Sequence, residues 1–130
     1  MHDFLTVGAA APLQEAAIPG LRFKKQYYDD LLEMYTKKRN LFLDGLKTLG
    51  IERNEPEGAY YVLLDISGYG YESDLDFCEK MAERVGVGAV PGSSFFKENV
   101  NHLIRLHFAK KEETLHAALN RLEKLSSMKR

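Results

Sequence analysis

The chain carries 130 residues, with 18 Lys plus Arg against 19 Asp plus Glu and 45% hydrophobic side chains, a size that fits one domain with its own core. The net charge of −1 excludes the basic footprint that nucleic acid demands, and 28% charged with 11% aromatic residues exclude a disordered acidic tail. No apolar run approaches the ~20 residues that span a bilayer, so neither a nucleic-acid nor a membrane partner is expected.

Residues 1–20 read as a loop leading into a short helix. Gly8-Ala9-Ala10-Ala11 precedes Pro12, a residue suited to a first helical turn. Good helix formers follow until Pro19-Gly20, where the helix is expected to stop. With no strand or core before this point, the segment reads as the end of a longer structure that precedes it. Residues 21–49 carry the strongest helical pattern, with Leu21, Tyr28, Leu31, Leu32, Tyr35, Phe42, Leu46 and Leu49 spaced mostly three or four apart. Gly50 is the expected left-handed cap. A helix of that length, roughly 43 Å at 1.5 Å per residue, outgrows a domain of this size and is expected to bridge to another.

Over 58–66 the pattern turns to strand, with Tyr60, Tyr61, Val62, Leu63, Leu64 and Ile66. Gly68-Tyr69-Gly70 marks a turn. Ser73 then caps a helix whose first turn holds Asp74 and Asp76, with Leu75, Cys78, Met81, Ala82 and Val85 as its expected buried stripe and Gly86 at its end. Short strands are expected at 87–90, stopped by Pro91-Gly92, and at 103–108. Leu115, Ala118, Leu119, Leu122 and Leu125 mark a last amphipathic helix. The order helix, strand, helix, strand, strand, helix predicts a two-layer α/β domain of the α+β kind, with a small mixed sheet packed by helices.

Several groups that could carry chemistry are set aside by their spacing. His102 and His107, five apart on one expected strand, point to opposite faces, and with His2 and His116 they complete no metal ligand set. Gly86-Val87-Gly88 with Gly92 follows a helix and precedes a strand, the reverse of what a dinucleotide loop needs. Ser126-Ser127-Met128-Lys129 matches a Ser-x-x-Lys pattern by chance in what is expected to be a frayed tail. Cys78 is the single cysteine and lies on an apolar stripe, where a thiol behaves as a small hydrophobe. One unpaired cysteine, and a start (Met1-His2-Asp3-Phe4) unlike a secretion signal, predict the reducing cytoplasm.

Arg105 is harder to dismiss. In Leu103-Ile104-Arg105-Leu106-His107-Phe108, alternation places Ile104, Leu106 and Phe108 against the helices and Leu103, Arg105 and His107 on the other face. A guanidinium within an apolar strand needs an anion or an open cleft. A carboxylate of the same domain, exposure at a sheet edge, or a bound ligand's carboxylate would each serve. Pro91-Gly92-Ser93-Ser94-Phe95-Phe96 reads either as a shaped loop that brings rings to a surface or as a hydrophobic turn on the core. Gly58-Ala59-Tyr60-Tyr61 opens a strand.

Four pieces, in this order and spacing, resemble the class I/II, fold type I, pyridoxal-phosphate-dependent aminotransferases: His2-Asp3-Phe4-Leu5-Thr6-Val7 with Pro12 and Gln14, Gly58-Ala59-Tyr60-Tyr61-Val62, Val87-Gly88-Ala89-Val90-Pro91-Gly92-Ser93-Ser94-Phe95, and Ile104-Arg105-Leu106-His107-Phe108-Ala109. The resemblance is to the C-terminal part of that family. It implies that residues 1–20 end a large domain, 21–49 form the interdomain linker helix, and 50–130 form the small domain. It makes Arg105 the residue that grips the substrate carboxylate, Tyr60 a wall of the substrate pocket, and the loop around Thr6 a visitor to the neighbouring subunit's active site in a homodimer. The implied activity is amino-group transfer between an L-amino acid and a 2-oxo acid, within amino acid metabolism, with pyridoxal 5'-phosphate as cofactor. A lyase or decarboxylase of the same fold is also compatible. The Schiff-base lysine, the acid facing the ring nitrogen and the phosphate cup have no match here, so no catalytic or cofactor-binding residue is assigned and the chain alone is expected to be inactive. Phe96 departs from the glycine that often follows the loop aromatic and leaves substrate preference open. The competing expectations are a free-standing module that binds a carboxylate without chemistry, and a dimerisation domain.

Overall fold

The structure, a computed structural model, describes residues 8–129. The chain divides between Met34 and Tyr35 into two units. In the first, helix α1 spans Ala11–Leu21 with Pro12 in its opening turn. It runs through Pro19-Gly20 instead of stopping there, a correction to the expectation. Proline fixes φ near the helical value and removes one donor, so two further residues can follow. The end is closed locally, Arg22 and Phe23 donating their N–H groups to the Pro19 and Gly20 carbonyls, each at 3.1 Å. No α1 residue is buried.

Helix α2 spans Lys25–Thr48, 24 residues, so the expected helix over 21–49 starts late: residues 22–24 separate it from α1. In the first unit the Tyr28 hydroxyl donates to the Gly20 carbonyl at 2.9 Å across that break. The apolar stripe is buried only towards the C-terminal end of α2, at Phe42, Leu43 and Leu46, while Leu21, Leu31 and Leu32 are exposed. Gly50 does cap the helix: its φ is +67°, and the Ile51 N–H reaches back to the Leu46 carbonyl at 3.1 Å.

The second unit holds a three-stranded sheet in the order β1-β3-β2, with β1 at Tyr61–Asp65, β2 at Val90–Pro91 and β3 at Leu103–His107. Both pairings are antiparallel. The α/β class and the element order therefore hold, while the sheet is antiparallel where a mixed one was expected. The strands β1 and β2, joined through a helix, do run parallel to each other, but β3 lies between them and pairs with both. Along β3, Ile104 and Leu106 are buried and face Leu64 and Val62 across the ladder. They form one core with Phe42 and Leu46 of α2 and with two further helices, α3 (Asp74–Arg84) and α4 (Glu112–Leu122).

Helix α3 starts as read: Ser73 is its cap and its Oγ accepts the Asp76 N–H at 3.4 Å. Its buried face differs from the expected stripe, because Leu75 and Ala82 are exposed. Phe77 takes the central place, fully buried with its ring edge-on to Tyr69 at 5.3 Å and to Tyr71 at 5.0 Å. Counting from Phe77 gives Cys78, Met81 and Val85 on one face, and Leu75 falls outside that arc. The C-terminal residues also differ from expectation. They form a 3₁₀ turn, Glu123–Met128, that buries Leu125 and Met128, so the Ser-x-x-Lys segment lies on an anchored turn and not in a frayed tail. Among the described residues no helix is long and apolar enough to cross a membrane.

Cys78 is buried on this core as expected, and burial, then the nearby charge of Asp74, pushes its thiol from 9.0 up to about 11. The unfolded thiol loses its proton first as pH rises, so stability present below pH 9.0 declines through the window up to about 11. Slow alkylation of Cys78 in the folded protein at neutral pH is expected. Urea titrations of the wild type and Cys78→Ala on either side of that window should show a steeper alkaline loss in the wild type; equal slopes would contradict this.

Candidate functional site

The ladder places the site. Arg105 lies opposite Leu63 of β1 and Val90 of β2, and His107 lies opposite Tyr61. Opposed residues in an antiparallel pair share a face, so Arg105, His107, Tyr61 and Val90 all stand on the side away from the helices. That is the alternation expected from the sequence. Because β3 is the central strand, the sheet-edge explanation for Arg105 fails.

The same-domain carboxylate fails as well. Asp65 is on this face of β1, but it accepts the Ser67 N–H at 2.8 Å, and the Ser67 hydroxyl and N–H hold its carboxyl below the usual range. Its Oδ1 is committed to a turn. Among the described residues no carboxylate forms a salt bridge with Arg105. The guanidinium instead meets rings: its Cζ lies 3.7 Å from the Phe95 ring centroid and 4.8 Å from that of Tyr61. Stacking on a ring face is worth roughly 0.5–2 kcal/mol and leaves in-plane N–H donors for a planar anion.

The loop that carries Phe95 is built tightly. Gly92 packs so closely on β3 that a Cβ there would run into the Leu103 carbonyl oxygen. One residue on, Ser93 is held by Asp74 of α3, whose carboxylate accepts the Ser93 N–H at 2.7 Å and its hydroxyl at 3.1 Å. A 3₁₀ turn over Gly92–Phe95 then leaves Phe95 and Phe96 exposed at the surface. The expectation of a loop that brings rings to a surface therefore holds, and a fully core-packed turn is excluded.

Tyr60 precedes β1 and is half exposed, its ring 6.2 Å from Tyr35 and 6.0 Å from Tyr61. Its carbonyl accepts the Phe108 N–H at 2.8 Å. Ala59 before it has φ +60°, an uncommon left-handed position for a residue with a Cβ. Tyr35, Tyr60, Tyr61, Val90, Arg105 and His107 line one open cleft of about 540 Å³. The structure thus brings Arg105 and Tyr60 together. Thr6, and the rest of the opening motif from His2 to Val7, lie outside the described residues. His102 precedes β3 instead of lying in it, and His116 is on α4. Among the described residues no group of three or more His, Cys, Asp or Glu could hold a metal ion.

The sequence reading missed Asp74 as part of this site, since a first-turn aspartate is accounted for by the helix dipole. Its near-complete burial, at 3% exposure, is visible only in the fold.

The profile of the aminotransferase class I and II family matches residues 1–122. The chain belongs to that family. It is 37% identical over 126 residues to a methionine aminotransferase of Escherichia coli K12, covering 96% of this chain and 33% of that protein. An aspartate aminotransferase of Pyrococcus horikoshii is 32% identical over 127 residues, covering 95% and 32%. Among solved structures, the N-succinyldiaminopimelate aminotransferase of Mycobacterium tuberculosis superposes with a TM-score of 0.81 at 30% identity, over 95% of this chain and 33% of that one. The chain thus spans about a third of the length of these aminotransferase relatives.

Members of the family use pyridoxal phosphate. The donor set of the Arg105 cleft does not fit that group. None of its lining residues is a lysine that could hold the aldehyde as an imine, and none is a carboxylate to face the ring nitrogen. The chemistry this cleft can perform is recognition of an anion beside an apolar, aromatic wall.

Proposed function

We propose that residues 50–130 act as the small domain of a pyridoxal-phosphate-dependent aminotransferase, with 21–49 as its interdomain linker helix and 1–20 as the end of its large domain. The parent enzyme exchanges an amino group between an L-amino acid and a 2-oxo acid. In this reading Arg105 grips the substrate α-carboxylate and Tyr60 walls the pocket. One observation carries it: a central-strand arginine, stacked on Phe95 with no carboxylate partner among the described residues, faces an open cleft. A bidentate arginine–carboxylate pair is both strong and directional, and a fixed carboxylate orients the rest of a small substrate.

The reading extends to a cytoplasmic homodimer, with the loop around Thr6 near the neighbouring subunit's site. The exposed apolar side chains Leu21, Phe23, Leu31 and Leu32 support a covering surface, because so many apolar groups in one stretch are costly in water. A lysine for the imine and an acid for the ring nitrogen must then come from outside the Arg105 cleft. The chain by itself, incubated with pyridoxal phosphate, an L-amino acid and a 2-oxo acid, is expected to give no sustained turnover in a coupled assay. Sustained turnover by this chain would contradict the division of labour proposed.

A further inference from the structure

We propose that Asp74 is a positioning residue for the carboxylate clamp, fixing through Ser93 the loop that seats Phe95 on the Arg105 guanidinium. The inference rests on the reading of Arg105 as that clamp and adds a residue to it from another element.

A buried carboxylate is unfavourable unless its oxygens are satisfied. Asp74 is 3% exposed, and each of its oxygens is engaged by Ser93: Oδ2 accepts the backbone N–H at 2.7 Å and Oδ1 accepts the hydroxyl at 3.1 Å. The cap of α3 does not need it, since Ser73 already accepts the Asp76 N–H. What Asp74 does is tie the start of α3 to a loop 19 residues away. The same loop is pinned on its other side, where Gly92 abuts the Leu103 carbonyl, two residues before Arg105 on β3. Held at Gly92 and Ser93, the single 3₁₀ turn Gly92–Phe95 has little freedom, and its last side chain lies 3.7 Å from the Arg105 Cζ. Charge-assisted hydrogen bonds are stronger than neutral ones, so Asp74 is the firmest tie this loop has to the helical layer.

The consequence is pre-organisation. Arginine is rich in rotamers, and a fork held against a ring loses less freedom when a carboxylate arrives. Loosening the loop frees Phe95, then the guanidinium, and affinity falls without any contact between Asp74 and the ligand.

Side-chain NMR of Arg105 in the 130-residue protein tests this. In the free wild type the Arg105 Nε–H signal should lie upfield, shielded by the Phe95 ring, and Phe95→Leu should move it downfield. Asp74→Ala should move it the same way, and Ser93→Ala, which loses the hydroxyl bond but keeps the backbone N–H bond, should move it less far. Asp74→Asn, which keeps an oxygen for the Ser93 N–H, should restore most of the wild-type position. With 3-phenylpropionate as the carboxylate probe, Asp74→Ala should bind roughly tenfold more weakly, short of the ~10²-fold that a 1 Å misplacement can cost. If Asp74→Ala fails to fold, Ser93→Ala decides the matter. An unmoved Arg105 signal in folded Ser93→Ala, and in Asp74→Ala if it folds, would overturn the positioning role and leave the clamp standing. A wild-type Arg105 signal that ignores the probe overturns the clamp itself, whatever the Asp74 variants do.

Discussion

Phe77→Ala should destabilise the protein by about 3–5 kcal/mol, the range for truncating a buried aromatic. Phe77 is fully buried, edge-on to both Tyr69 and Tyr71, and packed in the core with Met81 and the sheet residues Leu64 and Ile104. Its removal loses transfer free energy and two edge-to-face contacts, and leaves a cavity that surrounding helices can only partly fill. A domain with ~5–15 kcal/mol in total would lose a large share of its stability, and the urea midpoint should drop accordingly. Leu75→Ala, two residues away on α3 but 55% exposed, should shift the midpoint by no more than about 0.5 kcal/mol. Equal effects at the two positions would mean that α3 presents a different face to the sheet.

Arg105→Ala should weaken carboxylate binding by about 10- to 100-fold, since each hydrogen bond to a charged group contributes ~1.5–3 kcal/mol. The fold should tolerate the change far better than the loss of Phe77. The guanidinium leaves no buried ion unpaired when removed, because its contacts are the faces of Phe95 and Tyr61. Arg105→Lys is the sharper comparison. It keeps the charge but loses the planar fork and the stacking that aligns it, so binding should remain well below wild type. If lysine restored full affinity, charge alone would suffice and the shaped Phe95 loop would have no part in recognition.

Local chemistry made much of this legible in the sequence. Ser73 at its cap, Gly50 at its left-handed turn and the alternation along β3 all follow from rules confined to a few residues, and the structure bears them out. The uneasy arginine was visible for the same reason: a period of two leaves only one face for it. What depended on distant partners was not legible. Leu75 and Ala82 fit an apolar stripe as well as Phe77 does until the sheet sets the angle of α3. The antiparallel ladder required knowing that β3 inserts between β1 and β2. Pro19 within α1 reads as a stop, since sequence rules weigh the lost donor more than the compatible φ. Asp74 was hidden because its partner, Ser93, is 19 residues away, and a dipole explanation at the helix start was already sufficient.

The assignment of Arg105 as a carboxylate clamp is most directly tested by titrating the isotope-labelled protein with a 2-oxo acid and with its uncharged amide. A saturable movement of the Arg105 side-chain signals and of the neighbouring Tyr60 and Tyr61 rings, with the acid only and absent in Arg105→Ala, is the expected result. No saturable movement at Arg105, or equal movement with acid and amide, would contradict it.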